Sequence, residues 1–256
     1  MIGINEIRKH YPNITGHDRN VLKEYLQYKI LEIIFGQKIS SKLAFLGGTA
    51  IKICHGSSRF SEDLDFDNFD LSEEEFGALV EKVREELSLL GYDVEIKNVF
   101  KGAFRCYIRV PKILFDNNLS PLEDEKVVIQ IDTAPHNFRY EPDKILLQKF
   151  DVYTNIFATP KDILLSQKAE IIINRKRAKG RDFYDFSYLM GVADFNWEYL
   201  DHKIGVKNKE ELKKKLFKRL DDINPEDLTK DVEPFLLKSK DKERILTFRE
   251  YIEQKL

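Results

Sequence analysis

The chain has 256 residues, enough for one large or two modest domains, and we expect two. A hydrophobic share of 42% can fill a core, while 34% charged residues and no run near the ~18 apolar residues of a span exclude a membrane protein. Lys plus Arg number 42 against 44 Asp plus Glu, so the net charge of −2 gives no overall pull toward nucleic acid and leaves local charge to decide partners.

Met1–Gly16 mixes Arg8, Lys9 and His10 with polar residues and lacks an apolar h-region, so we expect no export signal. Apolar residues at Val21, Leu22, Tyr25, Leu26, Ile30, Leu31 and Ile34 predict an amphipathic helix from His17 to Phe35. A short strand over Lys42–Leu46 should run into Gly47-Gly48, with a small helix from Thr49 through Cys54 and a turn at His55–Ser58. Asp63-Leu64-Asp65-Phe66-Asp67 alternates strictly and reads as a half-buried strand with an acidic face. Ser72 should cap a helix over 72–90 whose stripe is Phe76, Leu79, Val80, Val83 and Leu87. Three strands are expected at Tyr92–Val99, Ala103–Val110 and Lys126–Thr133, then a loop over Pro135–Pro142 and a strand near Val152–Phe157. Thr159-Pro160-Lys161-Asp162 has the form of a capping box opening a helix that runs to about Arg177. Gly180 punctuates, and further helices are expected at Asp182–Met190, Lys209–Leu220, Asp231–Leu237 and Lys240–Lys255. We place a domain boundary near residue 155.

Cys54 and Cys106 are too few for a disulfide framework or zinc site and suit a reducing cytoplasm. His10, His17, His55, His136 and His202 lack metal-ligand spacing and read as surface or turn residues.

Gly47-Gly48-Thr49 lies between strand and helix, where glycine lets backbone approach a ligand and a helix N-terminus offers N–H groups to phosphate. A plain tight turn would use the same pair. Asp63 and Asp65, at i and i+2, set two carboxylates on one strand face, an arrangement suited to a divalent ion that also binds substrate phosphates. Asp132 ends the polar face of its strand and could supply a third carboxylate, so that two ions about 3.5–4 Å apart clamp an in-line phosphoryl displacement. A solvated edge strand charged against aggregation would explain the alternation alone, but not the glycines, nor Arg59 and Ser61 just ahead, which offer a guanidinium fork and a hydroxyl. Lys168 lies four residues from both Leu164 and Ile172 on an apolar face, where an ammonium should meet carboxylates or phosphate unless it snorkels out at the core edge. Asp182 could equally cap its helix, with Arg181 paired on the surface.

Phe45-Leu46-Gly47-Gly48-Thr49-Ala50 and Arg59-Phe60-Ser61-Glu62-Asp63-Leu64-Asp65-Phe66 resemble the AbiE-type (AbiEii) toxin family of nucleotidyltransferases, of the polymerase-beta-like superfamily, found in abortive-infection and toxin–antitoxin systems. Lys168, Arg175-Lys176-Arg177 and Arg181-Asp182-Phe183-Tyr184-Asp185 are similar to that family's downstream motifs, so the likeness spans about residues 42–190. By this resemblance Gly47, Gly48 and Thr49 cradle a triphosphate, Arg59 and Ser61 touch phosphate oxygens, and Asp63 and Asp65 bind Mg2+ or Mn2+. Asp132 is the wider fold's third carboxylate by strand pattern only. Lys168 binds phosphates or activates the attacking group, Asp182 orients or deprotonates it, and Arg181 and Asp185 are neighbours. Residues after Met190 match nothing of use.

The expected fold is an α/β (α+β) polymerase-beta-like nucleotidyltransferase domain over 1–155, with a mixed sheet flanked by helices, then a helical bundle domain over 156–256 that completes the active-site cleft. The expected function is transfer of a nucleoside monophosphate from a nucleoside triphosphate to an acceptor hydroxyl, with pyrophosphate leaving. The acceptor implied is the tRNA 3′ end, with an antitoxin as partner and no membrane. Basic stretches at Lys168–Arg181 and Lys207–Arg219 could follow its phosphates. The alternatives are a small-molecule or protein hydroxyl as acceptor, and a non-catalytic module that binds nucleotide or a partner.

Overall fold

The computed structural model describes residues 3–12 and 14–256. It divides into two compact units: Met1–Ala50, Phe60–Asn137 and Glu141–Thr159 form the first, while Ile51–Arg59, Phe138–Tyr140 and Pro160–Leu256 form the second. No helix among the described residues is long and apolar enough to cross a membrane.

The elements of the first unit are α1 (Ile4–Arg8), α2 (Asp18–Phe35), β1 (Leu43–Leu46), the start of α3 (Gly47–His55), β2 (Leu64–Asn68), α4 (Glu73–Leu89), β3 (Glu95–Lys101), β4 (Ala103–Val110), α5 (Ile113–Asp116), β5 (Val127–Ala134), β6 (Asp143–Lys149) and β7 (Val152–Ala158). Among the described residues the strands make one seven-stranded sheet in the order β3-β4-β5-β2-β1-β7-β6. The sheet is mixed, as expected: β2 pairs antiparallel with β1 and parallel with β5, and β1 pairs parallel with β7.

Alternation along the strands divides the sheet into two faces. On one, Leu64, Phe66, Cys106, Ile108, Ile129 and Ile131 are buried, and α4 contributes the stripe its spacing predicted, Phe76, Leu79, Val80, Val83 and Leu87, behind a capping box of Ser72 and Glu75. The other face, on which Asp65, Arg105, Tyr107, Arg109, Gln130 and Asp132 stand, keeps these side chains partly exposed. Helix α2 buries every residue of its predicted stripe and also Glu24, Gln27 and Lys29, so it is enclosed on more than one side.

Several boundaries differ from the sequence expectation. Helix α3 already begins at Gly47, so the two glycines are its first residues and not a turn ahead of it. Strand β6 was not expected. The Thr159 N–H bonds to the Phe45 carbonyl at 2.9 Å, which prolongs the β1–β7 pairing. Helix α6 (Lys161–Asn174) accordingly starts at Lys161 without a side-chain cap, and the predicted Thr159 capping box does not form.

The second unit continues with α7 (Gly180–Leu189), α8 (Trp197–Ile204), α9 (Lys209–Leu220), α10 (Pro225–Val232), α11 (Glu243–Leu246) and α12 (Phe248–Lys255). Helix α9 has the predicted bounds, whereas α8 was missed and α10 lies ahead of the predicted Asp231–Leu237, capped by Asn224 with Pro225 in its first turn. Cys54 and Cys106 are free thiols, and burial pushes both up to about 12. His55 ends α3 half-buried, and burial, with Lys161 nearby, lowers it to about 4.

Gly180 is the first residue of α7, not a break before it. A Cβ there would lie 1.9 Å from the Leu228 carbonyl oxygen of α10, so two backbones meet where no side chain fits. Gly77, inside α4, has open space at the same position. Gly180→Ala is expected to destabilise the chain by roughly 1–3 kcal/mol or more, while Gly77→Ala should be neutral or stabilising by up to about 1 kcal/mol. Denaturant midpoints of both variants against wild type check this pair, and equal midpoints would refute the close approach.

Candidate functional site

In the first unit, the carboxylate pair is fixed by strand register. Asp65 of β2 lies opposite Leu46 of β1 and beside Asp132 of β5, so the Asp65 and Asp132 side chains rise from the same face of adjacent strands. Asp63 stands two residues ahead, at the entrance to β2. Three supports hold that entrance. The Thr49 hydroxyl donates to the Asp63 carbonyl. The Gln27 amide donates to the carbonyls of Ser61 and Glu62 at 3.0 and 2.9 Å.

Gly47 is required here on two counts. Its φ of +79° is a left-handed conformation costly to other residues, and a Cβ would lie 2.3 Å from the Asp65 Oδ2. The absent side chain is therefore the space that the Asp65 carboxylate occupies.

Asp132 is already engaged, with Oδ1 accepting from Arg105 Nε and Oδ2 from Gln130 Nε2, both at 2.5 Å. Asp67, expected on the open acidic face, is buried; its Oδ1 accepts from the His136 N–H at 2.9 Å, and its Oδ2 has no hydrogen-bond partner among the described residues. Among the described residues no three His, Cys, Asp or Glu side chains converge into a metal cage. The donor set fits a hard divalent ion held by the carboxylates of Asp63 and Asp65 and completed by substrate phosphates, the habit of magnesium. Asp132, held by Arg105 and Gln130, stands beside Asp65 on the same face.

The second unit gathers another set of predicted residues. The Arg59 guanidinium, 2% exposed, forks onto Asp185, donating from Nε to Oδ1 at 2.7 Å and from a terminal nitrogen to Oδ2 at 2.6 Å. The Lys168 ammonium lies 2.9 Å from Asp185 and donates to Asp182 at 3.0 Å, and Arg175 donates to the second Asp182 oxygen at 2.6 Å. Next along the segment, Ser58 shares a hydrogen bond with the Tyr184 hydroxyl and donates to Asp241, both at 2.8 Å. Arg181 lies over the Phe235 ring, 5.1 Å from its centroid. Burial opposes the charges of Arg59 and Lys168, yet the carboxylates outweigh it and both cations hold their protons more tightly than usual. Burial likewise works against a charged Asp185, but Arg59 and then Lys168 hold it below the ordinary carboxylate range.

The structure thus sets Asp65 beside Asp132 and Gly47, and joins Lys168, Asp182, Asp185 and Arg59 in one buried network. Thr49 is buried, its hydroxyl committed to the strand entrance, and Arg59 is committed to Asp185. Sequence reasoning missed Arg105, Gln130 and Gln27. Arg105 and Gln27 meet partners far away in the chain and leave no local signal, whereas Gln130 meets Asp132 two residues along the same strand, where the shared polar face shows the spacing but not the bond.

The profile of the nucleotidyl transferase AbiEii toxin family, type IV toxin–antitoxin system, matches residues 30–254. The chain belongs to the AbiEii toxin family. It is a nucleotidyltransferase, as the resemblance implied, and the AbiEii match extends beyond Met190 to the helices that carried no readable motif. Among solved structures, JHP933 from Helicobacter pylori is similar at 18% identity, with a TM-score of 0.59 over 95% of this chain and 93% of that one. A provisionally assigned nucleotidyltransferase from H. pylori is similar at 17% identity and TM-score 0.58, over 93% and 94% of the two chains. At these identities the likeness is one of fold. No curated protein matches the chain.

Asp185 gives the AbiEii network a pH signature. Its folded value is lowered, so the stability it contributes is complete above the ordinary carboxyl value of about 4 and is lost as pH falls through the lowered folded value. Asp185→Asn removes the charge that both buried cations share, leaving Lys168 with Asp182, and is expected to cost roughly 3–5 kcal/mol. Chemical denaturation from pH 7 to pH 2 should show that loss at neutral pH and a shallower acid limb than wild type. Parallel limbs would remove Asp185 as the titrating anchor.

Proposed function

We propose that the chain transfers a nucleoside monophosphate from a nucleoside triphosphate to the 3′ hydroxyl of tRNA, acting through Asp63 and Asp65 with Mg2+ or Mn2+. The observation that carries the reading is the approach of Gly47 to Asp65, since it brings the first turn of α3, where backbone N–H groups lack helical partners, against a carboxylate that could share a cation with phosphate. The bound ion would neutralise charge on the triphosphate and the departing pyrophosphate.

In this reading the backbone of Gly47 and Gly48 receives the phosphates, while Thr49 fixes the distance between that backbone and Asp63. Ser61 offers a hydroxyl at the strand entrance, and Asp132, steadied by Arg105, completes the polar face without being bound to the ion at rest. The acceptor hydroxyl attacks the α-phosphorus, the bond from that phosphorus to the bridging oxygen breaks, pyrophosphate leaves, and the hydroxyl proton passes to a carboxylate of this face. By the family resemblance Lys168 binds phosphate or activates the attacking group and Asp182 orients or deprotonates it, with Asp185 and Arg59 completing their buried network. Capping a tRNA 3′ end blocks aminoacylation, which accounts for toxicity at low turnover, and a separate antitoxin would hold that in check.

Incubation with each α-labelled nucleoside triphosphate, either metal and total RNA is expected to label tRNA at its 3′ end. Asp63→Asn and Asp65→Asn should keep wild-type denaturation midpoints and lose transfer by roughly 100- to 1,000-fold or more, and Asp65→Asn should relieve growth arrest on expression in bacteria. Wild-type rates in these variants, or in excess chelator, would sink the metal-dependent reading. Label that enters a small molecule or protein instead of tRNA would replace the acceptor.

A further inference from the structure

The open face of the sheet continues past the carboxylates. Register sets its side chains in rows across the strands: Asp65, Asp132, Arg105 and Val99 form one, and Gln130, Tyr107 and Lys97 the next. Arg109 follows along β4, opposite Glu95 of β3. At about 4.8 Å between neighbouring strands, the Arg105 position is about 10 Å from Asp65 and strand β3 is about 14 Å from β2, a reach of roughly two nucleotides. The face is accessible there: the Arg105 side chain is 39% exposed and so is Val128. Lys97 and Lys101 are exposed on the edge strand.

The charge on this surface is one-sided. Lys97, Lys101, Arg105, Arg109 and Lys126 occupy the face along β3, β4 and β5, against Glu95 and Asp132 there and Asp65 beyond them on β2. Glu95 is taken by Lys126 at 2.8 Å, and Asp132 by Arg105. Tyr107 stands between Arg105 and Arg109 on β4, an aromatic ring flanked by two guanidinium groups. Its strand neighbours Cys106 and Ile108 turn into the core, so the ring's carrier is rigid. Bases stack on aromatic and guanidinium planes while cations follow the phosphates, and a single strand can use both where a duplex offers only its backbone.

We propose that the open face of β3, β4 and β5 is the platform for the acceptor RNA, holding a single strand that ends at the carboxylates. Tyr107 stacks against a base near that end, and Lys97, Arg105 and Arg109 contact the phosphates upstream. The inference rests on RNA being the acceptor, and it locates that acceptor on the sheet of the first unit and not on the basic helices read from the sequence.

Equilibrium binding of a 12-nucleotide single-stranded RNA, followed by fluorescence anisotropy from 50 to 300 mM salt, tests the surface without requiring turnover. Tyr107→Ala is expected to weaken binding roughly five- to 100-fold. Lys97→Ala with Arg109→Ala should lower the slope of log affinity against log salt by about 1.4, since each single-strand phosphate left without its cation removes about 0.7. Lys230→Ala, on an exposed lysine of α10, should leave slope and affinity unchanged. In the labelling assay the same variants should raise KM for RNA and leave KM for nucleoside triphosphate within about twofold. Variants that bind RNA like wild type, with an unaltered slope, overturn the platform even if tRNA is labelled. A wild type without salt-dependent RNA binding overturns it too, and the labelling assay then decides separately whether tRNA is the acceptor. Variants that release a protein partner while keeping wild-type RNA affinity would assign the face to protein and overturn it likewise.

Discussion

Strand β2 is five residues long and hydrogen-bonded on both sides, antiparallel to β1 and parallel to β5. A slip of one residue would exchange its faces, sending Asp65 into the core and Phe66 into water, so burial of Leu64 and Phe66 fixes where the carboxylate points. The same register places Asp132 next to Asp65 and Arg105 next to Asp132, and it brings Asp65 against Gly47. The chemistry of the polar face is therefore specified by hydrophobic side chains on the opposite face.

The second unit solves a different problem. Four charged groups, two cations and two carboxylates, are withdrawn from water, and each is met by opposite charge at 2.6–3.0 Å. Such a cluster adds little net stability over an apolar core, but it is unforgiving of a missing member. What it supplies is geometry: Arg59 comes from the segment that leads to Asp63, Lys168 from α6, and Asp182 and Asp185 from α7. Three separate stretches of chain are thereby held at defined positions within the unit.

Much of this was legible in the sequence where local pattern decides structure. The α4 stripe, the β4 alternation and the bounds of α9 follow from periodicity and capping residues alone. Strand β6 was missed because Asp143-Lys144 and Gln148-Lys149 enclose only three apolar residues, a composition suited to an edge strand but identifiable only once β7 is its partner. The Thr159 box gave way to a tertiary bond with Phe45, and Gly180 was taken for a break when its role is to admit the Leu228 backbone. Motif order singled out candidate residues, but not that Arg59 would commit both arms of its fork to a carboxylate 126 residues away.

The Thr49 hydroxyl ties the first turn of a helix to the backbone entering a strand. That bond restrains the separation between the helix amides and the carboxylates once the chain is folded. A phosphate-bearing ligand meeting that pair has little conformational freedom left to remove, so the entropy of ordering is charged to folding and not to binding. In the proposed reading, discrimination among ligands then falls to the groups that meet base and sugar, since a grip on phosphates is indifferent to what the phosphates carry.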